Sequence, residues 1–139
     1  MVKVLQKSDD LAKLILRIAI SVIILFHGIA KLYHGIGWIS DILSRLGIPG
    51  FIAYGTYAAE LIAPIMIIIG FRSRIAALTI TFDMIFAIVL VLRSQIFTIK
   101  EAGGGWSIEL EMLLLLGSLT IFFLGAGKYK VINKENLWD

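Results

Sequence analysis

Several ionisable side chains lie within or against long apolar stretches of this sequence: Arg17, His27, Lys31, Glu60, Asp83, Glu109 and Glu111. In hydrocarbon such a group costs roughly 2.5–3.5 kcal/mol on insertion scales, so it turns inward, pairs, or takes part in chemistry. Glu60 is the leading candidate. A carboxylate deep in an apolar helix is either protonated through desolvation or paired, and both states suit proton handling. Pro64, one turn on, removes the amide donor for the Glu60 carbonyl and predicts a kink there. His27 is the second candidate, since imidazole titrates at about pH 6.5 and can carry a proton. The alternative for His27 is a hydrogen bond to a neighbouring helix, with Gly28 allowing close approach. Lys31 is four residues further along the same face. It either extends to the headgroups or pairs inward with Glu60 or Glu109. Asp83 is open between acid–base and structural roles, because Thr79 and Thr81 offer a bent, hydrogen-bonded helix instead.

Glu109 and Glu111 are two residues apart, about 200° around a helix, so they do not share a face. One is expected to face in, and the other to stay at the surface or favour the helix N-terminus. Arg17, near a span boundary, is expected to snorkel. A metal site from His27, Glu60 and Glu109 lacks Glu-x-x-His spacing, so none is expected. Haem is not expected either, because His27 and His34 are the only histidines and stand on one element. No cysteine is present, which rules out thiolate nucleophiles, thiolate metal ligands and a dithiol relay on this chain.

The elements that position these groups follow from composition. Of 139 residues, 59% are hydrophobic and 17% charged, against roughly 45–50% and 25% in soluble domains. The mean hydropathy is +0.94. The chain has too little polar surface for a soluble domain of its size, so its solvent is the lipid bilayer. Four apolar runs approach the roughly 20 residues that a helical span needs, at residues 11–33, 51–71, 75–92 and 108–124. The expected fold is all-α, a single integral membrane domain built as a four-helix transmembrane bundle. No small-x-small cleavage pattern follows His27–Lys31, so the first run is expected to be a retained span. Glu60 lies nine residues past Phe51 and Asp83 nine past Arg74, which places both at about 14 Å depth from opposite sides.

Basic residues set the orientation. Lys3, Lys7, Lys13, Arg72, Arg74, Lys128, Lys130 and Lys134 fall on one side, against Lys31, Arg45, Arg93 and Lys100 on the other. Both termini are therefore expected in the cytoplasm, with the protein in the cell's inner or plasma membrane. Trp38 and Trp106 suit the outer interface and Tyr129 the inner one. The net charge of +3 belongs to these flanks rather than to a basic stripe, so no nucleic-acid partner is expected. Apolar positions 39, 42, 43 and 46 follow helical spacing and predict a short amphipathic helix along the interface. Gly103-Gly104-Gly105-Trp106 predicts a flexible approach to the last span. Gly28, Ala30, Ala58, Ala59, Ala76, Ala77, Gly117 and Ser118 would let helices pack closely.

Six segments in order carry a family resemblance. They are Leu25-Phe26-His27-Gly28-Ile29-Ala30-Lys31-Leu32, Gly47-Ile48-Pro49, Glu60-Leu61-Ile62-Ala63-Pro64, Gly70-Phe71-Arg72-Ser73-Arg74, Gly103–Trp106 leading to Glu109, and Gly125-Ala126-Gly127-Lys128-Tyr129. With these, from Leu14 to about Ile132, the sequence resembles the DoxX family of small four-helix membrane proteins. It departs at Ala126, where the family commonly has proline, and lacks the acidic residue often found beyond it. Some relatives are quinone-linked oxidoreductase subunits, including the large subunit of a thiosulfate:quinone oxidoreductase. Others are membrane parts of oxidant-defence assemblies. The resemblance therefore implies a membrane subunit of a redox system in oxidant defence or respiration, with quinone as the implied cofactor and a redox-partner subunit. It favours Glu109 as the inward acid. Whether the chain is itself an enzyme stays open. The alternatives are a membrane chaperone or assembly factor, and a small-solute or proton pathway.

The orientation is directly testable. Reporter fusions after Lys130 and within residues 98–104 should report opposite sides of the membrane, and matching signals would refute the assigned topology.

Overall fold

The structure, a computed structural model, describes residues 2–131 and 138, with side chains from residue 8 onward. Ile132, Lys134 and the side chains of Lys3 and Lys7 lie outside the described residues. The fold is all-α. Five helices follow in order: α1 (Val2–His34), α2 (Gly37–Arg45), α3 (Gly50–Ile69), α4 (Ser73–Val91) and α5 (Glu109–Leu124). Helices α1, α3, α4 and α5 form a ring in which α3 packs on α1 and α4, and α5 on α4 and α1.

The distribution of side chains is that of a protein dissolved in lipid. Ile15, Ile18, Val22, Phe26, Ile29 and Tyr33 run along the exposed face of α1 at helical spacing, and Leu113, Leu116 and Phe123 along that of α5. Polar groups are instead buried: Arg17, Ser21, Glu60, Thr81 and Ser118 are each at most 5% exposed. A soluble bundle shows the opposite pattern. The segments Ser8–His34, Gly50–Ile69 and Ser73–Val91 are long and apolar enough to cross a bilayer. The chain is a multi-pass membrane protein. Helix α5 has 16 residues, about 24 Å of rise, and packs beside the three longer helices as the fourth member of the ring.

Ile24, Ile67, Ile80 and Ile121 sit in the core at no more than 1% exposure. Ala63, Ala76 and Ala77 are buried with them and bring α3 and α4 close. At Gly117 a Cβ would run into the Ile20 side chain, so α1 and α5 touch there. Ala30 and Ala58, expected at helix contacts, face outward instead.

Two loop expectations need correction. Ile39, Ile42 and Leu43 of α2 do not lie along a membrane plane alone; they turn onto the bundle, and Leu43 packs with Ile36 and Ala53. Leu46 does not join that face and stays exposed, because the helix stops before it. The approach to α5 is not an open glycine linker but a closed hairpin. The Lys100 amide donates to Gly105 O (2.9 Å) and the Ser107 amide to Thr98 O (3.1 Å). Trp106 Nε1 donates to Ile96 O at 2.6 Å.

Arg17 is the largest departure. It does not snorkel; it is 1% exposed. Its guanidinium donates from Nε and Nη2 to Ile67 O (3.0 and 2.7 Å), from Nη2 to Ile68 O (3.0 Å), and from Nη1 to Ala126 O and Tyr129 O (2.6 and 2.7 Å). A guanidinium has five N–H donors, and each finds an oxygen. The acceptors are available because the last carbonyls of α3 have no intrahelical partner and form the negative end of its dipole. Gly70 ends α3 at φ 76°, with the Phe71 amide donating to Met66 O and the Gly70 amide to Ile67 O. This is a Schellman closure. A Cβ at Gly70 would also lie 2.9 Å from Arg17 Nη2, so glycine serves both the turn and the cation.

Replacing Arg17 by methionine should leave those carbonyls without donors and cost about 3 kcal/mol or more. Thermal unfolding in mild detergent would measure it. Arg17→Lys should not rescue, since an ammonium cannot span both sets of oxygens; full stability of either variant would contradict the anchor.

Candidate functional site

The half of the bundle that carries α2 holds a cavity of about 430 Å³ reached by all five helices. Its walls are mainly apolar. Its polar groups are His27 and Lys31 from α1, Thr56 and Glu60 from α3, Thr79 and Asp83 from α4, and Glu111 from α5.

Backbone irregularity sets Glu60 in place. Proline has no N–H to give the carbonyl four residues before it, and for Pro64 that carbonyl belongs to Glu60. The helix does not simply kink. It widens into a π-turn over Ala58–Ile62, where the Ala63 amide bonds to Ala58 O five residues back. Helix α1 lies directly against this turn. A Cβ at Gly28 would stand 2.5 Å from Glu60 O, so only glycine allows the approach. The Tyr57 hydroxyl donates to Lys31 O (3.2 Å) and fixes the end of α1 beside α3.

With the backbones held, Lys31 Nζ reaches Glu60 Oε1 at 2.5 Å. Glu60 is 3% exposed, whereas the Lys31 side chain keeps 21% exposure. Of the alternatives for Lys31, the structure places it on the inward pair with Glu60. Glu60 Oε2 is buried and has no hydrogen-bond partner among the described residues. Asp83 lines the cavity beside Glu60 and Thr56, facing the same side as Lys31. The site thus sets one ammonium against two neighbouring carboxyl groups.

His27 lines the same cavity from an exposed position at its edge. It makes no hydrogen bond among the described residues, so the structure gives it no cross-helix bond. Glu109 is not in the cavity. Its side chain is 51% exposed and pairs with Lys100 at 2.7 Å in the hairpin before α5. The inward acid of α5 is Glu111. The reason is register: Ile108, 1% exposed, points into the bundle, and Glu111, three residues on, comes back to within about 60° of it. Glu109 lies about 100° away.

Sequence reasoning missed Thr56, buried at 9% and one turn before Glu60 on the same face. The i, i+4 spacing was the available signal. It also missed α2 as a wall of the cavity. Among the described residues, no three His, Cys, Asp or Glu side chains are grouped to hold a metal ion.

The family model described as DoxX matches residues 12–93, more than half of the chain, and the chain belongs to that family. The matched segment carries α2, α3, α4 and α1 from residue 12 onward, with His27, Lys31, Glu60 and Asp83; α5 and Glu111 lie beyond it. The chain is also similar to the protein named "Putative oxidoreductase CatD" of Bacillus subtilis (strain 168), at 29% identity over 123 residues, covering 88% of this chain and 85% of that relative. No solved structure matches.

The ion pair should be measurable. Lys31→Met leaves Glu60 buried without its partner, which should cost roughly 3–5 kcal/mol in detergent unfolding. Adding Glu60→Gln to that variant should restore part of the loss. An unchanged midpoint for Lys31→Met would mean that Lys31 extends to the headgroups in solution.

Proposed function

We propose that this DoxX protein is the membrane-embedded subunit of a redox system, binding a quinone-type ligand in the outer-half cavity and exchanging protons at Glu60. The observation that carries the reading is the Lys31–Glu60–Asp83 group at the polar end of an otherwise apolar cavity. Ligand sites of this kind have apolar walls, a few convergent polar groups and volumes of about 300–1,000 Å³. The residues suit a quinone head: Lys31 can donate to a carbonyl oxygen, while Glu60 and Asp83 can accept from or return a proton to a hydroxyl. A quinone would supply two-electron, two-proton chemistry when bound. The chain's own task is then to place that head, keep it from bulk water and move protons. One ammonium against two carboxylates leaves a net negative charge at depth, and neutrality is reached when the carboxyl pair holds one proton. His27 and Glu111, on α1 and α5, line the same cavity and are the groups through which such a proton would pass to the outer surface.

Without cysteine the chain has no thiol–disulfide couple, so this reading assigns the electron carrier to a partner protein. The printed name of the Bacillus relative, an oxidoreductase, supports it. The reading places the protein in the inner or plasma membrane with four spans and both termini cytoplasmic. An open solute pathway is less well supported, because Ile24, Ile67, Ile80 and Ile121 fill the core at no more than 1% exposure. An assembly factor would need only an outer surface, and leaves the buried charges without a use.

Glu60→Gln separates proton handling from structure. The amide keeps an acceptor for Lys31 but cannot titrate. The variant should express and fold like the parent, yet lose the oxidant tolerance or quinone-dependent respiration that gene deletion removes. Full complementation would refute the assignment.

A further inference from the structure

The cavity has a closed polar end and an apolar mouth, and the mouth opens in an unusual direction for a site that holds charge. Glu60, at the polar end, is 3% exposed. Trp38, Ile52, Phe82 and Phe86 line the cavity and are also 49%, 42%, 56% and 50% exposed. A residue that both lines a cavity and is exposed stands at its rim. These four are large and apolar, and they continue the outward belt of Ile62, Ile65, Ile85 and Val89 on α3 and α4. A rim facing water would carry polar groups; this one faces hydrocarbon.

The route towards the outer water is covered. Helix α2 turns Trp38, Ile39, Ile42 and Leu43 to the cavity and carries Asp41 and Arg45 elsewhere. Its cavity face has no charge. The polar edge residues, His27 and Glu111, stand on the other pair of helices, α1 and α5. At about 430 Å³ the space takes a ring-sized head with the first part of a chain, so a longer tail has to leave through the apolar rim.

We propose that the cavity is loaded sideways from the bilayer, and that its ligand is a single-headed amphiphile with its hydrogen-bonding head at Lys31 and Glu60 and its tail passing out between Trp38, Ile52, Phe82 and Phe86. The head accepts from Lys31 Nζ; at Glu60 Oε2, which has no other partner among the described residues, a phenol or quinol hydroxyl donates, whereas a quinone carbonyl accepts from the protonated acid. A phenol, a quinol or a quinone exchanging protons fits that set; a permanently charged phosphate head does not, beside two carboxylates. This deepens the functional reading and rests on its use of the cavity as the ligand site.

The test uses the full chain in phosphatidylcholine nanodiscs with Trp106 and Trp138 replaced by phenylalanine, so that Trp38 alone reports from the rim. Three quenching probes are compared at equal mole fraction in the membrane: a decyl benzoquinone, the same quinone ring without a tail, and a decyl bromophenol. A tailed probe should quench Trp38 saturably, with the tail-free ring weaker by about tenfold, or about 1.4 kcal/mol. A control chain keeping only Trp106, which does not line the cavity, should show no saturable quenching. Ala87→Phe, which narrows the cavity from α4 without adding a second tryptophan, should weaken the tailed probe by a similar factor. If the tail-free ring binds as tightly as its tailed form, sideways loading is overturned while quinone binding stands. If only the bromophenol saturates, sideways loading stands and the quinone reading falls. No saturable quenching by either tailed probe overturns the inference, and this parent-chain comparison decides even if Ala87→Phe fails to fold.

Discussion

A cation inside a bilayer has to be surrounded by oxygen, and for Arg17 all of that oxygen comes from backbone. The five bonds to Ile67, Ile68, Ala126 and Tyr129 tie together α1, the end of α3 and the segment after α5. Each bonded part needs the others. The end of α3 supplies acceptors because the helix stops at Gly70, and glycine there leaves room for the guanidinium. The segment after α5 has no regular structure of its own, and its carbonyls would be costly near hydrocarbon without a donor. A further amide bond, from Val131 to Ile69 O, closes the same corner. This end of the bundle is thus locked mainly by backbone oxygens around one cation, with a single carboxylate, Asp10, accepting from the Lys128 amide at 3.4 Å.

The opposite half of the bundle relies on side-chain carboxylates instead. Lys31 lies fourteen residues beyond Arg17, about 21 Å along α1, and solves the same problem differently. It takes one side-chain carboxylate oxygen and remains partly exposed. Asp83, brought alongside by α4, has no second cation among the cavity's polar groups. A buried ion pair with balanced partners contributes specificity and little chemistry. A pair with a surplus carboxyl group can hold or release a proton with a small rearrangement, and such surplus is characteristic of functional sites. The contrast between the two cations separates an anchor from the proposed proton-handling group more clearly than burial alone, since Arg17 and Glu60 are almost equally buried.

Much of this was legible in the sequence, and the limits have identifiable causes. Helix type and depth follow from apolar runs and rise per residue, so counting nine residues from each turn was enough to bring Glu60 and Asp83 together. The shared face of His27 and Lys31 was equally readable from spacing. What spacing does not give is the absolute rotation of a helix about its axis. Glu109 and Glu111 were known to point apart, but Ile108 locking into the core decided which one turned in. Arg17 was misread because snorkelling is judged from one helix, whereas its acceptors come from residues fifty and more positions away. Helix α2 looked interfacial because its apolar stripe is indifferent to whether lipid or protein covers it. The hairpin before α5 is closed by backbone bonds and a tryptophan N–H, for which a run of glycines gives no warning.

The two halves also differ in regularity, and the difference bears on how a ligand is accommodated. Both π-turns among the described helices fall at the cavity, one at Ala58–Ile62 beneath Glu60 and one at Ala87–Val91 along the wall of α4. Each shifts the hydrogen-bond pairing by one residue, as with the Leu92 amide bonding to Ala87 O at 3.0 Å. Pro64 accounts for the first; no residue type accounts for the second, and it has no sequence signature. A π-turn widens the helix locally, and such turns are frequent at functional sites. The half of the bundle around Arg17 has no such element among the described residues and is held by Arg17, with the Thr81–Ser118 hydroxyl pair at 2.8 Å nearer the middle. The bundle is therefore regular and tightly bonded at one end and widened at the other, where the extra backbone width makes room for the cavity while Lys31 stays on Glu60.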